Sequence, residues 1–177
     1  LEMVTLAEGE PIPAATLLWA AGVRGAPVVD TLGVALARGA RVAVTPTLAL
    51  KENGRVFVIG DLAWLEQDGR PLPGVAQTAM QMGAHAGRNI LRLIRGQETV
   101  PFRYRDLGNL ATIGRNEAVA DFGRLKFTGF IAWFLWLVIH IMNLVGFRNR
   151  VIVLVNWAWD YFFFERAIRI ITRQPRS

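Results

Sequence analysis

Apolar and polar positions change their spacing several times along the chain, and each change predicts an element. Residues 12–23, "IPAATLLWAAGV", read as a loop, a strand at Thr16–Trp19 and a turn of small residues at Ala20-Ala21-Gly22. The stretch "VVDTLGVALARGARVAVTPTLAL" reads as a short helix followed by irregular strands, and Asn53-Gly54 is a strong turn signal. "RVFVIGD" then shows continuous apolarity, which suits a strand buried on both faces of a parallel sheet. "QDGRPLPG" reads as a loop. Val75 to Arg95 follows as a helix started after Pro73 and Gly74 and stopped by Gly96. Two short strands are expected within 103–124, punctuated by glycines at 108, 114 and 123. The apolar run Phe127 to Val145 is broken by "GFRNR" (146–150). A second run extends from Val151 to Phe164, and a basic end closes the sequence. No internal repeat or low-complexity tract is visible.

Composition sharpens this picture in the second half. The 177 residues are 53% apolar with a net charge of +6. Residues 1–100 carry nine basic and nine acidic side chains, whereas residues 101–177 carry eleven and five, so the whole excess lies there. Nine of ten Phe and four of six Trp fall in the same half. A basic, aromatic and apolar segment points to a membrane surface rather than to nucleic acid, which is bound by polar basic faces. With no cysteine, the chain has no disulfide, thiolate metal site or redox-active thiol pair. Two histidines argue against a zinc or di-iron centre, and no metal is expected. The sequence opens Leu-Glu-Met, without a signal peptide, and reads as a fragment.

Two places carry candidate chemistry. In "VFVIGD", Gly60 permits close approach of a ligand or backbone. Asp61, at the carboxyl end of the expected strand, faces the crevice where α/β folds bind ligands. It can accept hydrogen bonds from ligand hydroxyls or simply cap the following turn. In "VAQTAMQMGAHAG", Gln77 and Gln81 share a helix face, with His85 further along it. The small residues between them leave room for a flat cofactor or for close packing. The helix amino end carries partial positive charge, which suits a ring edge that gains negative charge on reduction.

Four stretches, "LLWAAGV" (17–23), "VFVIGDLA" (56–63), "VAQTAMQMG" (75–83) and "YRDLGNLATIGRNEAVADFG" (104–123), together with the closing "GFIAWFLWLVIHIMNLVGFRNR", resemble the C-terminal part of the type II, non-proton-pumping NADH:quinone oxidoreductases. The resemblance covers nearly the entire chain and keeps the family's order. It implies an α/β fold, the C-terminal part of a flavoprotein with two Rossmann-like dinucleotide-binding domains, followed by membrane-associated helices. Residues 1–22 would end the NADH-binding domain and return the chain to the FAD-binding domain. Residues 23–100 would belong to that FAD domain, 101–126 would form a short β segment against the flavin site, and 127–177 would be the membrane-associated region. By the same resemblance, Gly60 and Asp61 hold the ribityl region of FAD, and Val75, Ala76 and Gln77 lie at its isoalloxazine ring. Gln77 and Gln81 line the quinone site, and Ala21 and Gly22 lie near flavin and nicotinamide. The implied activity is hydride transfer from NADH to FAD, then two electrons to a membrane quinone at the cytoplasmic face of the cell membrane. The alternatives are a related flavoprotein reductase with another acceptor and an inactive membrane-anchoring fragment.

The sequence departs from the family in one large respect. Neither glycine-rich G-x-G-x-x-G loop is present, and both belong to the part of the family that precedes residue 1. Leu107 is a smaller departure, since some members have a basic residue at or near it.

The 19 uncharged residues from Phe127 to Val145 are long enough to span a bilayer as a helix. The alternative is a helix lying in the interface, with Trp133 and Trp136 at the headgroups. Arg166, Arg169 and Arg173 share a helix face that suits anionic lipid. The same helices would also serve a homodimer. His140, a lone histidine in an apolar helix, is more often satisfied by packing than used as a proton relay.

Overall fold

The computed structural model describes residues 2–18, 20 and 22–163. These form two compact units, Leu1–Asp106 and Leu107–Ser177.

The first unit begins with the antiparallel pair β1 (Glu2–Val4) and β2 (Ile12–Ala14). The expected strand at Thr16–Trp19 is absent: residues 16–18 have no regular structure, and Trp19 lies outside the described residues. Pro13 sits inside β2 instead, which a two-stranded ladder tolerates because a strand with one neighbour can turn its donor-less nitrogen away. The predicted short helix is a 3₁₀ turn over Pro27–Leu32. It is followed by β3 (Leu36–Ala37), β4 (Arg41–Ala43) and β5 (Ala63–Trp64), which make a small mixed sheet.

"VFVIGD" does not form the expected buried parallel strand. Phe57 makes only an isolated bridge to Ala49. Val58 N–H donates to the Leu48 carbonyl at 3.0 Å, and Val56 accepts from Leu50 at 2.8 Å. Val58 is buried, and Val56 and Phe57 pack partly buried against the core, but Ile59 is 38% exposed. Among the described residues, the parallel pairing is made elsewhere, between β4 and β5. Asn53 does turn the chain: its Oδ1 accepts the Arg55 N–H and its carbonyl accepts that of Val56. The "QDGRPLPG" segment expected as a loop contributes to a tight hairpin, β6 (Glu66–Gln67) against β7 (Arg70–Pro71).

Helix α1 (Ala76–Ile94) matches its sequence signal within a residue. It buries Thr78, Met82, Ala86 and Asn89 on one face. Met82 and Ala86 join Val29, Val42, Leu48, Leu50, Val58, Ala63 and Leu72 in the core. Gly96, at φ +68°, ends the helix in a Schellman motif. Its N–H donates to the Leu93 carbonyl, and that of Gln97 to Arg92.

The second unit contains a meander of the two expected strands, β8 (Asn109–Gly114) and β9 (Glu117–Asp121), and one more, β10 (Lys126–Thr128). Helix α2 (Gly129–Asn143) lies on it, where Ala118, Ala120 and Ala132 are buried together. Their small side chains let the helix approach the sheet closely. Helix α3 (Phe147–Phe163) follows.

The spanning reading of Phe127 to Val145 is overturned. Residues 126–128 are drawn into β10 by pairing with β9, and the helix stops at Asn143 before Gly146, which has φ +84°. The 15 residues that remain extend roughly 22 Å, short of the ~30 Å hydrocarbon core. No helix among the described residues is long and apolar enough to cross a membrane.

Candidate functional site

The segment Ile59-Gly60-Asp61 lies across the first turns of α1, and small residues set that approach. Gly60 has φ +64°, and a Cβ there would stand 3.3 Å from the Ala79 Cβ. Gly83 faces the Ile59 side chain, and Gly74 faces Asp61: a Cβ at Gly74 would lie 3.4 Å from Asp61 Oδ1. Gly60 N–H points at Met82 Sδ at 3.3 Å. Thus Gly60 and Asp61 lie against Ala79 and Gly74, around the first turns of α1. Asp61 is exposed at the start of a 3₁₀ turn, and Val75 precedes α1 without a side-chain cap. The amino end of α1 therefore lies next to a carboxylate and a glycine-lined gap.

A second feature was invisible in the sequence. Residues 100–105 run antiparallel to α1 as an extended strap without strand partners. Three side-chain amides hold it, together with one backbone bond from the Phe102 N–H to the Pro46 carbonyl at 2.8 Å. Asn89 donates from Nδ2 to the Val100 carbonyl at 2.9 Å and accepts the Val100 N–H at 2.9 Å. Gln67 donates to the Tyr104 carbonyl at 3.2 Å and accepts its N–H at 2.8 Å. Gln81 does the same with Arg105, at 2.8 and 3.0 Å. His85 adds a bond from Nε2 to the Val100 carbonyl at 2.8 Å. Gln81, His85 and Asn89 are four residues apart, so one row of α1 carries the strap. The spacing of Gln77, Gln81 and His85 pointed to this face, but nothing in the sequence paired it with residues 100–105.

Gly22 is exposed at φ +84° with open space around it, away from Gly60 and α1 in sequence. Ala21, Arg166, Arg169 and Arg173 lie outside the described residues. Trp133 and Trp136 are half-buried in the second unit: Trp133 stacks on Phe130, and Trp136 on Trp157 and His140. His140 donates from Nδ1 to the Trp136 carbonyl at 2.7 Å, a partner one turn back in its own helix.

The profile of the NDH2 C-terminal domain matches residues 107–166, and that of the pyridine nucleotide-disulphide oxidoreductases matches residues 1–83. The chain belongs to the type II NADH:quinone oxidoreductase family. It is 38% identical over 172 residues to the type II NADH:quinone oxidoreductase NdhA of Mycobacterium tuberculosis, covering 92% of this chain and 36% of that protein. It is 29% identical to the mitochondrial internal alternative NAD(P)H-ubiquinone oxidoreductase A1 of Arabidopsis thaliana, covering 96% of this chain and 37% of that one. The chain thus spans little more than a third of these curated relatives. The structure of NDH2 from Plasmodium falciparum, solved in complex with NADH, superimposes with a TM-score of 0.71 at 16% identity, over 92% of this chain and 48% of that one. That likeness is one of fold. The disulphide in the matched family's name carries no thiol chemistry within this chain, which has no cysteine.

Proposed function

We propose that this chain is the C-terminal share of a flavoprotein that oxidises NADH and reduces a membrane quinone. The observation that carries the proposal is the seating of Asp61 against Gly74 and of Gly60 against Ala79, at the amino end of α1. A hydroxyl-accepting carboxylate beside the amino end of a helix supports this reading. That donor set fits FAD: Asp61 accepts hydrogen bonds from the ribityl hydroxyls, and the amino end of α1 favours negative charge at the ring edge. FAD, when bound, supplies the two-electron redox chemistry. Gln77 and Gln81 then orient the quinone head by hydrogen bonds. Ala21 and Gly22 lie near the nicotinamide in this reading. The domain limits at 22, 100 and 126 go with it, as does a Rossmann-like parent fold.

Attachment to the membrane is peripheral in this proposal. The exposed residues Phe130, Phe134, Val138 and Met142 recur every fourth position on α2, as Val151, Val155, Trp159 and Phe163 do on α3. Such rows place an apolar face into one leaflet, and the basic side chains of this half favour anionic cytoplasmic lipid. Homodimer formation through the same faces competes with that arrangement. The isolated chain is proposed to be inactive, because its sequence has no glycine-rich phosphate loop. The test is Asp61→Ala in the enzyme that contains this chain. Loss of bound FAD is expected, and unchanged flavin content would contradict the proposal.

A further inference from the structure

Gln67 and Gln81 grip the two ends of one peptide plane. Gln67 Nε2 donates to the Tyr104 carbonyl at 3.2 Å. The Arg105 N–H, at the other end of the same Tyr104–Arg105 peptide, donates to Gln81 Oε1 at 3.0 Å. That peptide is trans, so its carbonyl and its N–H point to opposite sides. Gln67 and Gln81 therefore hold the strap from opposite sides, and the three amides form one hydrogen-bonded series. In such a series each bond polarises the next.

The series fixes the sense of each side-chain amide. A backbone N–H only donates and a carbonyl only accepts. Gln81 must therefore turn Oε1 to the Arg105 N–H and Nε2 to the Arg105 carbonyl, the latter at 2.8 Å. The direction of its remaining N–H and lone pair then follows from the tilt of the Tyr104–Arg105 peptide. A planar peptide turns as one unit about the single bonds that flank it. Freeing its carbonyl lets the plane rock, and Gln81 rocks with it.

Gln67 is placed to prevent that rocking. Its backbone pairs with Arg70 in the β6–β7 hairpin. The two turn residues, Asp68 and Gly69, have φ +54° and +75°, which is the conformation of a tight two-residue turn. The Gln67 side chain is half-buried, and its Oε1 also accepts the Tyr104 N–H at 2.8 Å. The neighbouring Asp68–Arg103 pair, at 3.7 Å, is exposed on both sides, so it adds little. The other strap anchors described above, at Val100 and Phe102, lie further back along the chain.

We propose that Gln67 is a positioning residue of the quinone site, acting on Gln81 through the Tyr104–Arg105 peptide. The inference rests on the reading of Gln81 as a residue that orients the quinone head.

The experiment uses the enzyme that contains this chain. Gln67→Glu, ionised at neutral pH, keeps the shape and the acceptor for the Tyr104 N–H but loses the donor to the Tyr104 carbonyl. Exchange of the Arg105 amide, read by mass spectrometry with residue-level fragmentation, is expected to quicken about tenfold. The quinone KM is expected to rise about threefold, while stopped-flow reduction of the flavin by NADH keeps its rate. In a Gln81→Ala background the same substitution should add no further rise in KM. An Arg105 amide that exchanges as in the parent enzyme would overturn the inference, as would a KM rise that persists undiminished without Gln81. So would an unchanged KM in Gln67→Glu where Gln81→Ala raises it. If Gln81→Ala itself leaves KM unaltered, the quinone role of Gln81 fails, and this inference fails with it. Should Gln67→Glu not fold, Gln67→Ala decides by the same readings.

Discussion

Gln81 and Arg105 exchange two hydrogen bonds: the amide donates to the Arg105 carbonyl at 2.8 Å and accepts the Arg105 N–H at 3.0 Å. This is the pairing a neighbouring strand would make, supplied by a side chain. Repeated at Gln67 and Asn89, it fixes the register of the strap without a sheet. A primary amide has two donor hydrogens and two acceptor lone pairs. Gln81 uses one of each on the strap, so the same side chain can hold Arg105 and still orient a quinone.

Gln81→Ala therefore has two expected effects. Removing two hydrogen bonds lowers stability by about 2 kcal/mol, read by denaturant unfolding. In the enzyme it raises the quinone KM about fivefold, while stopped-flow reduction of the flavin by NADH keeps its rate. Equal impairment of both half-reactions would show that Gln81 has no role specific to the quinone.

Asn89 is 1% exposed and also donates to the Thr47 carbonyl at 3.2 Å. Asn89→Leu keeps the approximate size but strips the Val100 N–H and the Thr47 carbonyl of their Asn89 partner. The expected cost is about 3 kcal/mol, with earlier hydrogen exchange at the Val100 and Phe102 amides. A loss under half of that would mean the strap is held chiefly by its apolar side chains.

Acid stability of the second unit is expected to depend on Asp121. Its carboxylate accepts the Gly123 N–H at 2.8 Å and pairs with Lys126, across the strand, at 3.0 Å. First the Gly123 bond, then Lys126, holds its pKa below the ordinary carboxylate value. A group depressed in the folded state stabilises fully above its unfolded pKa, and that contribution is lost as pH falls through the lower folded value. Asp121→Asn should flatten this acid dependence, measured as unfolding midpoint against pH. An unchanged acid dependence would place the linkage elsewhere.

Legibility in the sequence followed the range of the interactions. Helix α1 was readable because Pro73, Gly74 and Gly96 act within a turn of its ends, and the Asn53 turn because its amide bonds its own neighbours. "VFVIGD" misled because four consecutive apolar residues do not reveal whether partners lie on both edges. Here Val58 alone turns fully inward. The length of α2 was misread because pairing of Lys126–Thr128 with β9 is a tertiary effect that hydropathy does not contain. Proximity of Gly60 and Asp61 to α1 followed from the resemblance, whereas the contacts through Gly74, Ala79 and Gly83 needed coordinates. The amide-held strap joins residues 11 to 37 positions apart and left no local signature.

The central claim is that the enzyme containing this chain passes electrons from NADH to a membrane quinone. The most direct measurement is NADH oxidation by that enzyme on quinone-loaded vesicles, followed at the same time as quinone reduction. One quinone reduced per NADH oxidised is the result expected here. Reduction of soluble dyes with no reduction of the embedded quinone would contradict it.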